Sequence, residues 1–521
     1  MATFTHDSTY PHPREEVFAW HERPGAFTRL SAPGQIRAGA EPAVGLQPGT
    51  RQTFSLLVPG TLGKVGPTWV AEHTAYEVGE RFEDVMVRGP LKSWRHRHLF
   101  SDTATGDTLI RDHVDYELPL GLPDVVARLV EPQLRGSFGF RERQLRDDLD
   151  FHARHREPKV IAVSGATGLV GRQLVALLGG GGHDVRRMVR GKSLGDRDIR
   201  WSPEDSDGLD PEALRDVDIV VHLAGEPIGK RFTAHHKARV FDSRVRSTDL
   251  LARALATLSS DGRERALVVA SAAGYYGADR GDEVLTEVSA PGDDFLALVC
   301  QAWEAAADPA RAAGVRVVHV RTGYVQSAGG GQLALQLPLF QAGLGGRLGD
   351  GRQWMPWITV DDLVRLYGHV ALTPGLSGPV NAAAPSPVRA GEYAATLARV
   401  LRRPSLLPVP SVGPAVLLGA EGARELALAG QRMDASKALA WGFDFRQPEL
   451  REGLRHVTTA RRWRGSSGGS APGPPGGTCR RRSGRISLCG SGIGCGRPTA
   501  RTCGCSRRCA RTPSWTVMRS T

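Results

Sequence analysis

Two hydrophobic rhythms divide the chain. From the N-terminus to about His155, short runs with period-two alternation are separated by turn residues. Thr50 to Val58, Thr68 to Val78, Arg81 to Val87, Ser93 to Phe100 and Thr108 to Leu118 are therefore predicted to be strands. Pro13 to Trp20 predicts a short helix before them. The amphipathic stretch from Pro123 to Phe151, with Val126, Leu129 and Leu134 among its apolar positions, predicts a long closing helix. An antiparallel sheet wrapped on one long helix leaves a cavity suited to an apolar ligand. After the polar linker His155 to Lys159 the rhythm changes to short buried strands alternating with helices. The strands are Val160 to Val163, Asp184 to Val189, Ile199 to Trp201, Asp216 to His222, Ala266 to Ser271 and Val315 to Arg321, and Leu169 to Leu178 reads as the first helix. This βαβ order predicts a doubly wound parallel sheet.

Periodicity of both kinds stops near Val457. Between Arg461 and Thr521 the chain has thirteen arginines and no lysine, aspartate or glutamate, so the net charge of +12 lies in this segment and the rest is close to neutral. Cys479, Cys489, Cys495, Cys503, Cys505 and Cys509 fall here without metal-ligand spacing, and only Cys300 lies elsewhere. A Gly/Ser/Pro/Arg composition does not offset its own ordering entropy, so 461–521 is expected to be disordered. The abrupt loss of pattern is what an out-of-frame reading of GC-rich coding sequence produces. The alternative, a basic arm on nucleic acid, is the weaker reading, and no nucleic-acid partner is expected. Pro414 to Ala429, interrupted by Glu421, Arg424 and Glu425, is too short and too charged to span a bilayer, and the first residues lack a secretory pattern. A cytoplasmic enzyme without membrane association is the expectation.

The most informative chemistry is Gly165-Ala-Thr-Gly168-Leu-Val-Gly171 between the first parallel strand and its helix. Gly165 would make the tight turn, Gly168 would let amides approach a pyrophosphate, and Gly171 would let the helix pack closely on the strand. The second parallel strand ends Met188-Val-Arg190-Gly-Lys192, without the acidic residue that holds a free ribose. Arg190, with Lys192, would pair with a 2′-phosphate, so NADP(H) is preferred and NAD(H) remains admissible.

In the first module Trp94, His96, His98 and Phe100 share one strand face. Two histidines at i and i+2 can grip a metal, but buried histidines are more often satisfied by neighbours, and no metal is assigned from the sequence. With Phe18-Ala-Trp20 and Gly89-Pro90, this strand makes the segment resemble the helix-grip, START-like (SRPBCC) ligand-binding superfamily. That resemblance implies an architecture and no particular ligand.

Val220-Val-His222-Leu-Ala-Gly225-Glu226 resembles the strand-four turn of short-chain dehydrogenases. Ser271-Ala-Ala-Gly-Tyr275-Tyr276-Gly277 and Thr286-Glu287 narrow the likeness to the extended, epimerase-type branch (the NAD-dependent epimerase/dehydratase family). Lys230-Arg231-Phe-Thr, Trp303-Glu304, Arg321-Thr-Gly, Gly351-Arg-Gln-Trp354 and Trp357-Ile-Thr-Val-Asp361-Asp362 resemble its YfcH-like subfamily. Arg403-Pro-Ser, Pro408-Val-Pro and Trp441-Gly-Phe443 match its closing module. The resemblance covers about Pro158 to Val457. It implies cofactor contacts from Gly165, Thr167, Gly168, Leu169, Val170 and Gly171, from Arg190, and from Leu223, Ala224, Gly225, Glu226 and Arg231. It also implies a C-terminal part that covers the substrate.

Enzymes of this kind use a tyrosine and a lysine one helical turn later. None of the eight tyrosines here has a lysine four residues on; Leu296 and Cys300 stand where that pair belongs. The catalytic candidates are Ser271, Tyr275, Tyr276 and Glu287, each with a packing alternative, while Arg321 and Gln353 are candidate substrate contacts by position. Cys300 reads as a small core residue.

The expected organisation is a helix-grip module over 1–155, a Rossmann epimerase-like domain over 156–395, a helical cap over 396–460 and the basic tail. The expected activity is hydride transfer on a small carbonyl or alcohol carbon. The alternative is a nucleotide-bound sensor that turns nothing over. The substrate, the apolar ligand of the first module and the oligomeric state are left open by the sequence.

Overall fold

The structure, a computed structural model, describes residues 1–39, 45–57, 66–119, 124–191, 195–205, 207–405, 408–410 and 412–458. Lys192 and the tail 461–521 lie outside them, as do the side chains of Val126 and Leu129. The described residues fall within the unit Met1–Gly465.

The first module contains strand β1 (Ala2–Tyr10), helices α1 (Arg14–Glu22) and α2 (Ala26–Leu30), and strands β2 (Ile36–Ala38), β3 (Arg51–Leu56), β4 (Thr68–Glu77), β5 (Arg81–Arg88), β6 (Ser93–Asp102) and β7 (Thr108–Glu117). It closes with helix α3 (Asp124–Arg154). The strands form one antiparallel sheet of order β1-β7-β6-β5-β4-β3-β2. Phe18 and Trp20 of α1, Phe82, Phe100 and Ile110 of the sheet, and Leu145 and Leu149 of α3 fill one core. β1, absent from the sequence expectation, has few apolar residues, but Phe4, Ser8 and Tyr10 are buried where it pairs with β7.

The second module begins with β8 (Val160–Ser164), α4 (Leu169–Gly180), β9 (Asp184–Val189), β10 (Ile199–Arg200), β11 (Ile219–His222), α5 (Ala234–Leu258) and β12 (Ala266–Ala272). It continues through β13 (Asp279–Leu285), α6 (Phe295–Ala305), α7 (Asp308–Ala312), β14 (Arg316–Thr322), β15 (Tyr324–Gln326), α8 (Gly331–Gln341), β16 (Trp354–Met355), β17 (Trp357–Thr359) and α9 (Val360–Leu372). It ends with β18 (Gly378–Ala382), β19 (Val388–Arg389), α10 (Ala390–Leu401), α11 (Val412–Gly422), β20 (Gly430–Met433), α12 (Ser436–Ala440) and α13 (Leu450–Thr458). The expected parallel sheet is present, in the order β10-β9-β8-β11-β12-β14-β18.

Because neighbouring residues of a strand face opposite layers, Ile161 and Val163 of β8 join α4 and α9 in one core, while Ala162 joins α5 and α6 in another. A third core unites Leu333 and Leu337 of α8 with Tyr393 and Leu397 of α10 and Leu454 of α13. This core spans elements on both sides of residue 396. Among the described residues no helix is long and apolar enough to cross a membrane.

The two modules share a tight seam. A Cβ on Gly25, whose φ is +104°, would stand 2.5 Å from the Cα of Ala176 in α4. Arg23 donates to the carbonyl of Gly180 at 3.0 Å. Beside this backbone contact lies the buried guanidinium of Arg29 in α2. It donates to both oxygens of Asp148 in α3 at 2.8 and 2.7 Å, to Gln173 of α4 at 3.0 Å and to Asp361 of α9 at 3.1 Å. Asp361 meets His456 of α13 at 2.9 Å.

Candidate functional site

The sheet order reverses at β8, whose neighbours are β9 and β11, and the crevice at the carboxyl ends of β8 and β11 is where such sheets bind ligands. Polar side chains fasten these strand ends together. Ser164 Oγ and His222 Nδ1 lie 2.6 Å apart, His222 Nε2 lies 2.8 Å from Ser247 Oγ on α5, and the amide of Leu223 donates to Ser164 Oγ at 3.2 Å. Burial pushes His222 down to about 3, so the imidazole stays neutral and serves as a structural linker.

On this base the glycines take distinct jobs. Gly165 has φ +70°, and a Cβ there would lie 2.8 Å from the amide nitrogen of Ala224, so the turn sits directly against the turn after β11. A Cβ on Gly171 would overlap the carbonyl oxygen of Gly165. Gly168 caps α4 without a side-chain hydrogen bond, leaving the first-turn amides of Leu169, Val170 and Gly171 for an anion. Thr167 and Gly168 are exposed. These residues fit a dinucleotide pyrophosphate: the three glycines present no side chain, and the helix end offers donors.

Around the loop the remaining cofactor candidates diverge. Arg190 is exposed at the end of β9 and makes no ion pair among the described residues. Leu223, Ala224 and Gly225 line the turn after β11. Glu226 is turned towards Lys230 at 2.8 Å and Arg239 at 2.9 Å, and Arg231 donates to the carbonyl of Val416 at 3.1 Å. Both are committed to protein partners. Arg244 of α5, which was given no role from sequence, reaches past Gly225 to the carbonyl of Glu226 at 3.2 Å and lies 5.0 Å from the Trp303 ring centroid.

The catalytic candidates gather at the ends of β12 and β14. Ser271 Oγ donates to Glu304 Oε1 of α6 at 2.7 Å, and Arg321 of β14 grips both oxygens of Glu304 at 2.9 Å. Burial raises the Glu304 carboxyl, but Arg321 and Ser271 outweigh it and hold the group ionised. Tyr276 is fully buried; its hydroxyl donates to Asn381 Oδ1 at 2.6 Å and accepts from Arg321 at 3.2 Å, and burial pushes it up to about 12. Glu287 accepts the backbone amide of Asn381 at 2.8 Å. The structure thus joins Ser271, Tyr276 and Glu287 through Arg321 and Asn381, with every named hydroxyl or carboxylate engaged. Tyr275 differs: its half-buried ring lies under the Arg321 guanidinium, 3.4 Å from the centroid, and its hydroxyl has no partner among the described residues.

Leu296 and Cys300 are buried on the face of α6 that meets this cluster, with the Cys300 thiol pushed up to about 12 by burial. Gln353 donates to the carbonyl of Leu348 at 3.2 Å, away from the cluster's hydrogen bonds. Glu304 and Asn381 were given no role from sequence. A signal for Glu304 was its place four residues after Cys300, on the same helical face; Asn381 had none.

Comparison with known proteins places these features in a family. The model of the NAD dependent epimerase/dehydratase family matches residues 161–381, and a domain of unknown function (DUF1731) matches 409–457. An epimerase family protein of Mycobacterium bovis is 41% identical over 301 residues, which is 58% of this chain and 98% of that protein. The human epimerase family protein SDR39U1 (isoform 2), solved with NADPH, is 31% identical with a TM-score of 0.51, over 58% of this chain and all of that one. A nucleoside-diphosphate sugar epimerase from Corynebacterium glutamicum is 36% identical with a TM-score of 0.72. It covers 88% of this chain and 90% of its own, so the likeness extends beyond the epimerase segment. The glycine cradle, the seven-stranded sheet and these relatives agree: the chain belongs to the NAD dependent epimerase/dehydratase family.

Proposed function

We propose that the protein binds NADP(H) in the crevice between β8 and β11 and acts as an oxidoreductase or epimerase-like enzyme on a small carbonyl or alcohol, without a Tyr-x-x-x-Lys pair. The observation that carries this reading is the side-chain-free cradle of Gly165, Gly168 and Gly171 beside the exposed Arg190. The human relative solved with NADPH supports the phosphate preference. A nicotinamide held there supplies hydride transfer. Of the candidate proton donors, Tyr275 alone has a hydroxyl without a partner among the described residues, and Arg321 packs on its ring. Ser271, Glu304, Tyr276, Asn381 and Glu287 form the scaffold that holds Arg321 in place. The YfcH-like subfamily belongs to this proposal. So does the START-like reading of the first module, supported by a cavity of about 250 Å³ walled by Phe27, Phe54, Trp69, Phe82 and Trp94, which suits a small apolar ligand.

Arg190→Glu is expected to weaken NADPH binding by about 10- to 100-fold, the range of a lost charge-assisted hydrogen bond, and to change NADH binding little. Titration calorimetry with both coenzymes checks this, and equal losses for the two would remove Arg190 from the 2′-phosphate. Tyr275→Phe is expected to lower turnover of NADPH with a responsive carbonyl by on the order of 100-fold while leaving NADPH affinity unchanged.

The second reading, a nucleotide-bound sensor, is favoured by Leu296 and Cys300 at the dyad positions and by the closed network around Arg321. Tight NADPH binding with no turnover across a carbonyl and alcohol panel would select it.

A further inference from the structure

The antiparallel module carries a polar cluster that the nucleotide chemistry does not use. Asp84 on β5 stands directly opposite His96 on β6, and His98 stands directly opposite Asp112 on β7. Strand register therefore puts all four side chains on one face of three adjacent strands. Asp112 Oδ1 lies 3.0 Å from His96 Nε2 and 2.7 Å from His98 Nδ1. An ionised carboxylate only accepts, so each imidazole turns an N–H towards Asp112 and leaves its other nitrogen with a lone pair. His96 Nδ1 lies 3.6 Å from Asp84 Oδ1, and Asp84, His96 and His98 each offer one ligand atom, these atoms lying within 4.8 Å of one another. Asp84, His96 and His98 all line the module's cavity, as does Arg141.

We propose that Asp84, His96 and His98 hold a divalent transition-metal ion of the zinc, cobalt or ferrous class, with Asp112 as the positioning carboxylate behind both histidines.

Two imidazoles and a carboxylate are the donor set such ions prefer over magnesium or calcium. Bonds of roughly 2.0–2.2 Å place ligand atoms about 3–3.5 Å apart, so a contraction of at most about 1.3–1.8 Å closes the site. A shared carboxylate fixing both rings is the outer-shell arrangement that metal-bound histidines use. Charge agrees as well: Asp84 and Asp112 against Arg141 leave the set one negative charge in excess. Because the donors come from neighbouring strands of one sheet, the remaining coordination positions face the aromatic cavity. An apolar molecule with an oxygen or nitrogen head would complete them.

The test uses the full chain with its cysteines alkylated, so that thiols of the C-terminal segment do not compete. The protein is stripped with a chelator and titrated with Co²⁺ and then Zn²⁺. About one equivalent of Co²⁺ is expected, with weak visible bands, displacement by Zn²⁺, and partial quenching of tryptophan emission, since the Trp94 ring lies 6.2 Å from that of His96. Asp84→Asn and His98→Gln are expected to raise the dissociation constant at least ~10-fold. Absence of saturable binding to the wild type, binding without tryptophan quenching, or binding unaltered by both substitutions overturns the proposal. If either variant fails to fold, saturation and quenching in the wild type decide.

Discussion

Replacing Arg29 with methionine is expected to destabilise the folded chain by about 3–5 kcal/mol, the cost of breaking a buried ion pair from one side. Methionine fills much of the arginine's volume, so the loss reports charge rather than a cavity. The magnitude follows from what is left behind among the described residues: Asp148, fully buried, keeps Gln144 at 2.9 Å, and Asp361 keeps His456. Against a total of roughly 5–15 kcal/mol for a domain, that is a large share. Urea unfolding followed by circular dichroism checks it, and a change below about 1 kcal/mol would show that the network relaxes to let water in.

Acid should weaken the same network in the wild type. Burial raises the Asp361 carboxyl, but His456 and Arg29 outweigh burial and hold it at about 2, below its ordinary 3.8. A group depressed on folding contributes its stability above the unfolded value and loses it as pH falls through the folded one. The Asp361 contribution is therefore complete above about pH 4 and fades towards pH 2.

The second large effect is expected from Gly171→Val, which should weaken NADPH binding at least ~100-fold, or about 2.7 kcal/mol. The cause is crowding rather than backbone strain. An added Cβ meets the carbonyl oxygen of Gly165, a backbone atom with no freedom to rotate away, so α4 must shift and carry its first-turn amides off the phosphate. Gly413→Ala is the matched control, since a Cβ there meets nothing within 4 Å. Calorimetric titration of both variants settles the comparison. Unchanged affinity in Gly171→Val would mean that the phosphate is held elsewhere.

The parallel sheet was legible because its strands are apolar runs with glycines at the turn, and those signals are local. β18 was not: Gly378-Pro379 reads as a turn, yet the strand lies at the sheet edge, where a missing amide donor is tolerated. The core that joins α8 to α10 and α13 was not legible, because it forms across long sequence separations. The catalytic candidates were identified as residue types, but the partners that engage them, Glu304 and Asn381, come from other elements. The cluster around His96 shows the same limit. The sequence displays His-x-His, whereas Asp84 and Asp112 join it only through the register of neighbouring strands.

The seam along α4 has a bearing on how the chain can be dissected. The Mycobacterium bovis relative consists almost wholly of the matched region. In this protein the corresponding helix offers Ala176, Gly179, Gly180 and Gly181 to Pro24, Gly25, Trp20 and His152. Cutting the chain at the linker would strip this glycine-rich flank bare and take away the cation that Asp361 leans on. An isolated epimerase half would thus expose a flank that the whole chain keeps covered, and assays on that fragment would measure the injury together with the enzyme.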